Sequence, residues 1–369
     1  MQIPFVDLKQ QHLLLKEEFS KAIEKVIYEN SNFVLGTELK EFEEKFATYC
    51  DKKYCIGVGN GTDALKIAMR SLGIGGGDEV IAPANTAIPT ITSIIEIGAK
   101  PVLVDINEDY LINADLIEKA ITEKTKAIIP VHLYGNPCDM DEIFIIAGKY
   151  GLNVIEDCCQ SHGAKYKGKK VPIGNIGCFS FYPSKNLGAL GDGGAIVTNN
   201  PSVEKKAKML RFYGQADRYN AELPGGFNTR LSEIQSALLK VKLSHLDEWN
   251  SLRTERANLY SRLLKEVVSI PTEDPNKTPA HHLYVIRVEK RNELMSYLKE
   301  KEIGTLIHYP LPIHLQKAFF SLGYKEGDFP VSEKFSKEIV SLPLYPELSL
   351  IQIEEVANQI KQFKEKLQN

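Results

Sequence analysis

The feature that most limits how this chain can fold is a regular alternation of short apolar runs and amphipathic stretches, beginning near residue 79. The runs EVIAPA, KPVLVDI, KAIIPVHL and NVIEDC are rich in β-branched residues, and stretches with helical spacing separate them. Strands that alternate with helices are typical of a parallel sheet wrapped by helices. The runs are apolar throughout, so we expect both faces of the sheet to be covered. The sequence therefore predicts an α/β fold with a mostly parallel sheet.

The segments on either side of this alternation predict a second, smaller unit. The runs GCFSFYP and GAIVTN are separated by a glycine-rich link too short for a helical crossover, which predicts a turn between neighbouring strands. A long helical pattern runs from Ser232 to about Val267, and the tail reads as strand LYVIRV, helix RNELMSYLKEKE, strand TLIHYP and a final helix. A chain of 369 residues is long enough for about two domains. We predict a large domain over residues 1–250 and a small α+β domain over 251–369.

Charge and hydropathy argue against several classes of partner. The 45 Lys and Arg residues nearly balance the 48 Asp and Glu residues, so the chain lacks the basic excess that nucleic-acid binding requires. No apolar run approaches the 18 or so residues that span a bilayer, and the first residues do not form a signal peptide. We therefore expect a cytoplasmic protein with neither nucleic-acid nor membrane partners. The six cysteines form no CxxC pair, which predicts reduced thiols and no metal site.

A glycine-rich segment, Gly57 to Leu65 (GVGNGTDAL), leads directly into a helical pattern. The free N–H groups and positive dipole end of such a helix can hold a phosphate, with the Thr62 hydroxyl as a further donor. The spacing matches neither a P-loop nor the dinucleotide-binding fingerprint. An ordinary capped helix start explains this segment equally well, with a prior of about one half.

Two further residues favour the phosphate-binding interpretation over an ordinary capped helix start. Asp157 ends the apolar run NVIED, and ligands of parallel sheets bind beyond the carboxyl ends of the strands. Lys185 follows a predicted strand and precedes a flexible glycine run. Most lysines are solvated, but burial lowers a lysine pKa and yields the neutral amine that attacks an aldehyde. A phosphate cradle, a carboxylate and a buried lysine together are the groups that pyridoxal phosphate requires.

Seven segments carry a resemblance to a known family: GNGTDAL, PVLVDI, PVHLYGNPCDM, EDCCQSHGA, FSFYPSKNLGALGDGGA, GFNTRLSEIQSALL and IHYPLPIHLQ. In this order they resemble the DegT/DnrJ/EryC1/StrS family of nucleotide-sugar aminotransferases over nearly the whole chain. The resemblance implies the type I aspartate aminotransferase fold, pyridoxal 5'-phosphate as cofactor, and a homodimer with active sites at the subunit interface. With lysine at position 185 the sequence resembles the transaminase branch of this family, since the dehydratase branch has histidine there.

The resemblance also implies roles for individual residues. Lys185 would be the catalytic, cofactor-bearing lysine, and Asp157 the partner of the pyridine nitrogen. Gln160 would lie beside the ring hydroxyl. The implied phosphate ligands are Gly61, Thr62, Ser180 and, from the partner subunit, Asn228. One position departs from the family, because Ala87 stands where members usually carry a stacking aromatic residue; we expect a neighbour such as Ile88 to cover the ring.

The C-terminal motif from Thr305 to Gln316 and the loop from Tyr213 to Tyr219 resemble members that aminate C-3 of 3-keto-6-deoxyhexoses on dTDP. This implies amino transfer from L-glutamate to C-3 of a dTDP-linked keto sugar. The residues predicted to bind this substrate are Tyr182, Arg218, Tyr219, His308 and Tyr309. The alternatives are C-4 amination of another nucleotide sugar, a non-catalytic sensor of the same fold, and a purely structural His308–Tyr309 pair. His132, His162 and the pair His281–His282 are expected to be hydrogen-bonded structural residues.

Overall fold

The computed structural model describes residues 2–368, and more than half of them lie in helices or strands. The α-helices are α1 Leu8–Leu14, α2 Lys16–Glu24, α3 Thr37–Tyr49, α4 Gly61–Ser71, α5 Ile88–Glu96, α6 Ala114–Ile117, α7 Met140–Tyr150, α8 Pro201–Leu210, α9 Glu233–Leu264, α10 Arg291–Glu300, α11 Pro330–Glu338 and α12 Leu350–Gln368. A π-helical turn covers Lys25–Asn30, and 3-10 turns cover Glu118–Ala120, Leu133–Gly135, Ile313–Leu315 and Lys317–Leu322.

The structure has strands in every apolar run predicted for the sheet and also in segments where the sequence analysis predicted none. They are β1 Tyr54–Val58, β2 Glu79–Pro83, β3 Lys100–Val104, β4 Thr125–Ile128, β5 Asn153–Val154, β6 Glu156–Asp157, β7 Lys165–Tyr166, β8 Lys169–Lys170, β9 Ile176–Ser180, β10 Gly194–Thr198, β11 Gln215–Asp217, β12 Asn220–Ala221, β13 Lys277–Thr278, β14 Tyr284–Arg287 and β15 Ile339–Leu342. All five residues of both β2 and β10 are buried, as expected for strands that are covered on both faces.

The central sheet is mostly parallel, which confirms the predicted fold class. Strands β3, β2, β4 and β5 pair in parallel in that order, and β6, which continues the β5 segment, pairs in parallel with β9. Strand β10 is antiparallel to both β9 and β1, so the short glycine-rich link joins neighbouring antiparallel strands as predicted. The carboxyl ends of β6 and β9 therefore lie side by side, with the link from β9 to β10 beside them.

One predicted strand is wrong. The run TLIHYP is not a strand: only Leu306 makes a single bridge, to Ser341. Two physical reasons explain this. Pro310 and Pro312 lack the N–H group that a ladder needs, and His308 and Tyr309 hydrogen-bond to Tyr134 and Gln160 instead of to a strand. The predicted strand LYVIRV and the predicted helix RNELMSYLKEKE are present as β14 and α10.

Helix α9 runs without interruption through residue 250 and connects two groups of core residues. The larger apolar core surrounds the central sheet and also takes in Leu283, Phe335 and Ile339 from the tail. A separate core combines the second half of α9 with α10, β14, β15 and α12. The two-domain division at residue 250 stays a prediction, because tail residues contribute to both cores.

Within the described part of the chain, no helix combines the length and apolarity needed to cross a bilayer.

Candidate active site

The first turn of α4 forms one wall of a cavity of about 430 Å³. Asn60 caps this helix, because its side chain accepts a hydrogen bond from the N–H of Asp63 at 2.8 Å. The next two residues, Gly61 and Thr62, line the cavity. Since the first N–H groups of a helix have no acceptor within it, this wall offers N–H donors and the positive dipole end. The segment is thus both a capped helix start and a surface suited to an anion.

Glycine at position 61 is required by the close approach of β9. A Cβ atom built on Gly61 would lie 2.7 Å from the Ser180 Cβ and 2.9 Å from the Cys159 sulfur. Ser180 is the last residue of β9 and also lines the cavity. The absence of a side chain at Gly61 therefore lets the Ser180 hydroxyl lie beside the helix N-terminus, so that a phosphate would meet both N–H and hydroxyl donors.

Asp157 ends β6 and is almost fully buried at the cavity wall. One carboxylate oxygen accepts a hydrogen bond from the N–H of Cys159 at 3.1 Å, and the other accepts one from the Thr90 hydroxyl at 2.9 Å. Because the Thr90 proton is used in this bond, the Thr86 hydroxyl donates in the 2.9 Å contact between the two threonines. Asp157 is thereby held in one orientation by donors from two different segments.

Lys185 lies in the same cavity, between the β9 end and the glycine-rich link. Its backbone N–H donates to the carbonyl of Tyr182 at 2.8 Å, which fixes the turn that carries the side chain. Burial lowers the pKa of the Lys185 amine, and Cys159 and Asp157 oppose this effect. A lowered pKa increases the neutral, nucleophilic fraction of the amine.

A hydrogen-bonded group links Gln160 to the segment after α10. The Gln160 side-chain oxygen accepts from the backbone N–H of Tyr134 at 2.7 Å, so its amide nitrogen must face the Tyr309 hydroxyl, 3.1 Å away. The hydroxyl of Tyr134 donates to the carbonyl of His308. Burial raises the pKa of Tyr309 to about 12, so its hydroxyl remains protonated. These contacts explain why the TLIHYP segment follows the cavity wall and not a sheet.

Nine of the twelve residues predicted from the sequence line this one cavity: Gly61, Thr62, Asp157, Gln160, Ser180, Tyr182, Lys185, His308 and Tyr309. The other three, Asn228, Arg218 and Tyr219, do not line it and are exposed. Arg218 and Tyr219 lie at the tip of the β11–β12 hairpin, with the guanidinium 5.0 Å from the Tyr219 ring centre. Their predicted roles, like that of Asn228 from a partner subunit, stay predictions.

The cavity also contains residues that the sequence analysis did not select, notably Thr90, Cys159, Asp192 and His282. Thr90 lies two residues after Ile88, so the same segment could have pointed to it, whereas His282 is outside the recognised motifs and only the fold brings it to the site. Ala87 and Ile88 lie in the wall as well, and Ile88 is half exposed. This part of the wall is therefore aliphatic.

The cluster His132, Glu156 and Cys158 has metal-ligand chemistry, but the side chains of His132 and Glu156 are engaged in hydrogen bonds. The N–H of Cys138 donates to His132 Nδ1 at 3.0 Å, so the proton of the neutral ring is on Nε2, which donates to Glu156 at 2.9 Å. The Glu156 carboxylate also accepts from two backbone N–H groups, those of Ile173 and Gly174. His132 is thus a hydrogen-bonded structural residue.

His162 differs from the prediction that it is hydrogen-bonded. Its ring is fully buried against Phe179 and Phe181, and neither ring nitrogen makes a hydrogen bond of ordinary geometry to a described residue. Burial lowers its pKa to about 3, although a contact with the Ser180 backbone acts to raise it. The ring is therefore neutral and acts as an aromatic packing residue beneath the site.

A second cavity, of about 500 Å³, lies near the β13–β14 connection and contains none of the twelve predicted residues. Burial acts to lower the pKa of its lysine, Lys277, but pairing with Asp139 at 2.9 Å raises that pKa overall. A paired, protonated amine is a poor nucleophile, so the chemistry of amine attack belongs to the cavity around Lys185.

The donor set of the Lys185 cavity fits pyridoxal 5'-phosphate. Gly61, Thr62 and Ser180 offer N–H and hydroxyl donors for a phosphate, Asp157 offers an oriented carboxylate for a ring N–H, and Lys185 offers an amine of lowered pKa. These three kinds of group occupy one cavity, and each is fixed by backbone hydrogen bonds or close packing.

Comparison with known proteins gives a consistent result. The model of the DegT/DnrJ/EryC1/StrS aminotransferase family matches residues 14–361. The chain is 47% identical to the dTDP-3-amino-3,6-dideoxy-alpha-D-galactopyranose transaminase of Aneurinibacillus thermoaerophilus over 98% of this chain and 99% of that protein. It is 46% identical to a protein of Geobacillus stearothermophilus named pleiotropic regulatory protein, over 98% and 99% of the two chains. The crystal structure of DesV from S. venezuelae superposes with a TM-score of 0.97 at 42% identity and covers 99% of both chains.

Proposed function

The chain belongs to the DegT/DnrJ/EryC1/StrS aminotransferase family, and we propose that it transfers an amino group from L-glutamate to C-3 of a dTDP-linked 3-keto-6-deoxyhexose. It is a sugar aminotransferase with pyridoxal 5'-phosphate as cofactor. The observation that carries the proposal is the meeting of Lys185, Asp157 and the α4 N-terminus in one cavity. The choice of a dTDP-linked sugar aminated at C-3 is supported by relatives with that activity at 42–47% identity.

The cofactor phosphate would be bound by the N–H groups of Gly61 and Thr62, together with the hydroxyls of Thr62 and Ser180. Asp157 would accept the N–H of the pyridine ring, because both of its oxygens are already oriented by Cys159 and Thr90. When bound, the cofactor supplies an electron-accepting ring that stabilises negative charge at the carbon losing a proton. The residues of the chain would keep that ring nitrogen protonated and hold the ring beside Lys185.

Lys185 would transfer the proton. In the first half-reaction its amine would remove a proton from Cα of the amino donor and pass it to the bound cofactor. In the second it would take a proton back and deliver it to the carbon of the sugar that becomes aminated. This task requires a neutral amine at the start of each half-reaction, and the lowered pKa of Lys185 favours that form. The same residue can act as base and acid because the free amine stays in the cavity between the two steps.

Sugar recognition is assigned to the residues that line the cavity from the C-terminal segment and from the end of β9. His308 and Tyr309 offer an imidazole and a hydroxyl, and Tyr182 is more than half exposed at the mouth. Burial and the nearby Lys185 lower the pKa of His308 to about 4, so the ring is neutral and can accept or donate a hydrogen bond to a sugar hydroxyl. None of these side chains adds a competing amine.

We also propose that the enzyme is a homodimer with shared active sites. Large apolar side chains are exposed at the cavity, namely Ile88 and Tyr182, and on the segment before α3, namely Phe33 and Val34. Clustered exposed apolar residues are typical of subunit contacts. A partner that covers them would supply Asn228, Arg218 and Tyr219 to the neighbouring cavity, where their predicted roles require them.

The test is amino transfer with purified protein. We expect the cofactor-loaded enzyme to be yellow and to lose that colour on addition of L-glutamate. We also expect it then to aminate a dTDP-3-keto-6-deoxyhexose at C-3, as read by NMR of the product. Amination of a nucleotide-linked 4-keto sugar with no turnover of the 3-keto sugar would establish the C-4 alternative. A protein that binds the cofactor but transfers no amino group to any keto sugar would be a sensor.

A further inference from the structure

Lys185 is carried by a loop of residues 181–190 that directly follows β9, which we call the lysine loop. Inside it, the N–H of Lys185 donates to the carbonyl of Tyr182 at 2.8 Å, and the N–H of Ala189 donates to the carbonyl of Phe181, also at 2.8 Å. These bonds set the shape of the loop. Its place relative to the rest of the domain depends on other contacts.

Helix α9 supplies two of these contacts through polar side chains. The Gln235 amide bonds to both backbone groups of Leu190, accepting from the N–H at 2.7 Å and donating to the carbonyl at 3.0 Å. Two helical turns further along, the Lys242 amine donates to the carbonyl of Gly188 at 2.8 Å. The end and the middle of the lysine loop are therefore both bonded to the same helix.

A third contact lies beside Lys185 itself. The side-chain oxygen of Asn250 accepts from the amide nitrogen of Asn186, the residue that follows Lys185, at 2.8 Å. Positions 235, 242 and 250 are about two turns apart, so their side chains share one face of α9. The lysine loop thus runs antiparallel to α9 and is held at every second residue, at positions 190, 188 and 186.

Lys242 is the contact of this set that stability explains least. Its side chain is only 1% exposed, and among the described residues the Gly188 carbonyl is its hydrogen-bond acceptor. Burial lowers its pKa to about 8. Because burying an amine against a neutral acceptor costs free energy, the hydrogen bond is a weak source of stability. What it does fix is the direction of the Gly188 carbonyl.

A movement of Gly188 would be passed to the turn that carries Lys185. A Cβ atom at Gly188 would lie 2.2 Å from the carbonyl oxygen of Pro183 and 3.0 Å from that of Tyr182. The Tyr182 carbonyl is the acceptor of the Lys185 N–H. The two halves of the lysine loop are therefore in close contact, and a displacement of one displaces the other.

We propose that Lys242 is a positioning residue for amino transfer: by holding the Gly188 carbonyl, it keeps the Lys185 amine at the place that proton transfer requires. The inference rests on the proposed role of Lys185 in moving the proton. Gln235 and Asn250 hold the loop on either side of this point, so loss of the Lys242 contact would shift the loop without releasing it. A displacement of about 1 Å can lower a rate about 100-fold, and we expect the partial shift to cost about tenfold.

Three substitutions in the full-length, cofactor-loaded protein test this role. Lys242→Met removes the donor but keeps an unbranched, flexible side chain. Lys242→Arg restores a donor on a side chain of similar volume. Lys277→Met is the matched control, because Lys277 is also buried but its amine pairs with Asp139 at 2.9 Å, outside the lysine loop.

The first measurement is hydrogen–deuterium exchange read by peptide mass spectrometry, which involves neither an amino donor nor a sugar. Since one hydrogen bond to a charged group can change a local opening equilibrium about tenfold, we expect the lysine loop to exchange about tenfold faster in Lys242→Met. Strand β2 should be unchanged. Lys242→Arg should restore the wild-type exchange, and Lys277→Met should not affect the loop.

The second measurement is the single-turnover loss of yellow colour with L-glutamate. In Lys242→Met we expect the maximal rate to fall about tenfold while the half-saturating glutamate concentration stays within about twofold. Lys242→Arg should recover most of the rate, and Lys277→Met should keep it. A residue that only stabilises the fold would not separate the maximal rate from the half-saturating concentration.

Unchanged exchange of the lysine loop in Lys242→Met would overturn the proposal. An equal increase in β2 would indicate a general loosening of the fold and would overturn it too. The same holds for a faster-exchanging loop with an unchanged maximal rate, and for a folded Lys242→Arg protein that recovers neither. A wild-type protein that keeps its colour with glutamate would instead contradict the proposed function, and the exchange measurement would still decide whether Lys242 holds the loop.

Discussion

Replacing Asp157 with Asn is expected to slow catalysis while leaving the fold intact. The oxygen of the introduced amide can keep the bond from the Cys159 N–H, which lies 3.1 Å from the present carboxylate oxygen. The amide nitrogen would then face the Thr90 hydroxyl, now 2.9 Å from the other oxygen. The Thr90 hydroxyl can turn to accept from this nitrogen and can itself donate a hydrogen bond to the Thr86 hydroxyl, 2.9 Å away. No buried polar group is left without a partner, so we expect the free energy of unfolding to change by less than about 1 kcal/mol.

The expected effect on the reaction is larger than the effect on stability, because a neutral amide cannot replace a carboxylate opposite a protonated ring nitrogen. A hydrogen bond to a charged partner is worth about 1.5–3 kcal/mol, which corresponds to a rate loss of about 10- to 150-fold in the step that needs the electron-accepting ring. The assay is the single-turnover loss of yellow colour with glutamate at saturating cofactor, together with urea unfolding of the same samples. Asp157→Ala is the control, because it leaves two buried donors without acceptors and should also lower stability.

An unchanged glutamate rate in Asp157→Asn at saturating cofactor would refute the electronic role of this carboxylate. A loss of stability equal to that of Asp157→Ala would refute the argument that the two threonine hydroxyls can reverse.

Four further outcomes are expected. Lys185→Ala should lower amino transfer by orders of magnitude without unfolding the protein, as measured by turnover and circular dichroism; near wild-type turnover would exclude its role. Gly61→Ala should weaken cofactor binding at least about tenfold in a fluorescence titration, since the new methyl group would lie 2.7 Å from the Ser180 Cβ. Mixed dimers of Lys185→Ala and Asn228→Ala should regain part of the activity, because one site then carries no substitution; verified heterodimers without activity would contradict the shared site. His308→Asn or Gln should impair transfer to the sugar but preserve the glutamate half-reaction, whereas equal loss in both would assign His308 to the cofactor or the fold.

The sequence alone was sufficient for the architecture and for the centre of the site. Apolar runs separated by helical stretches specify a parallel sheet because each strand must be covered on both faces, and β2 is buried at all five residues. Lys185, Asp157 and the Gly61–Thr62 turn could be selected because their chemistry depends on local features: a strand end, a helix start and a short link. In the structure these residues line one cavity, as predicted.

Tertiary structure decided everything that depends on which distant segments meet. TLIHYP has the composition of a strand, yet its backbone borders the cavity, because the His308 carbonyl accepts from Tyr134 and the Tyr309 hydroxyl contacts Gln160. Thr90 became a partner of Asp157, and His282 a partner of Asn186 beside Lys185, through contacts across 67 and 96 residues that no local pattern encodes. Hydrogen-bond direction is likewise a tertiary property: the Ala280 carbonyl accepts from the Asn186 amide nitrogen, so the Asn186 oxygen faces His282 Nδ1. Local sequence sets propensities and burial patterns, whereas the pairing of buried polar groups is fixed only when the whole chain has packed.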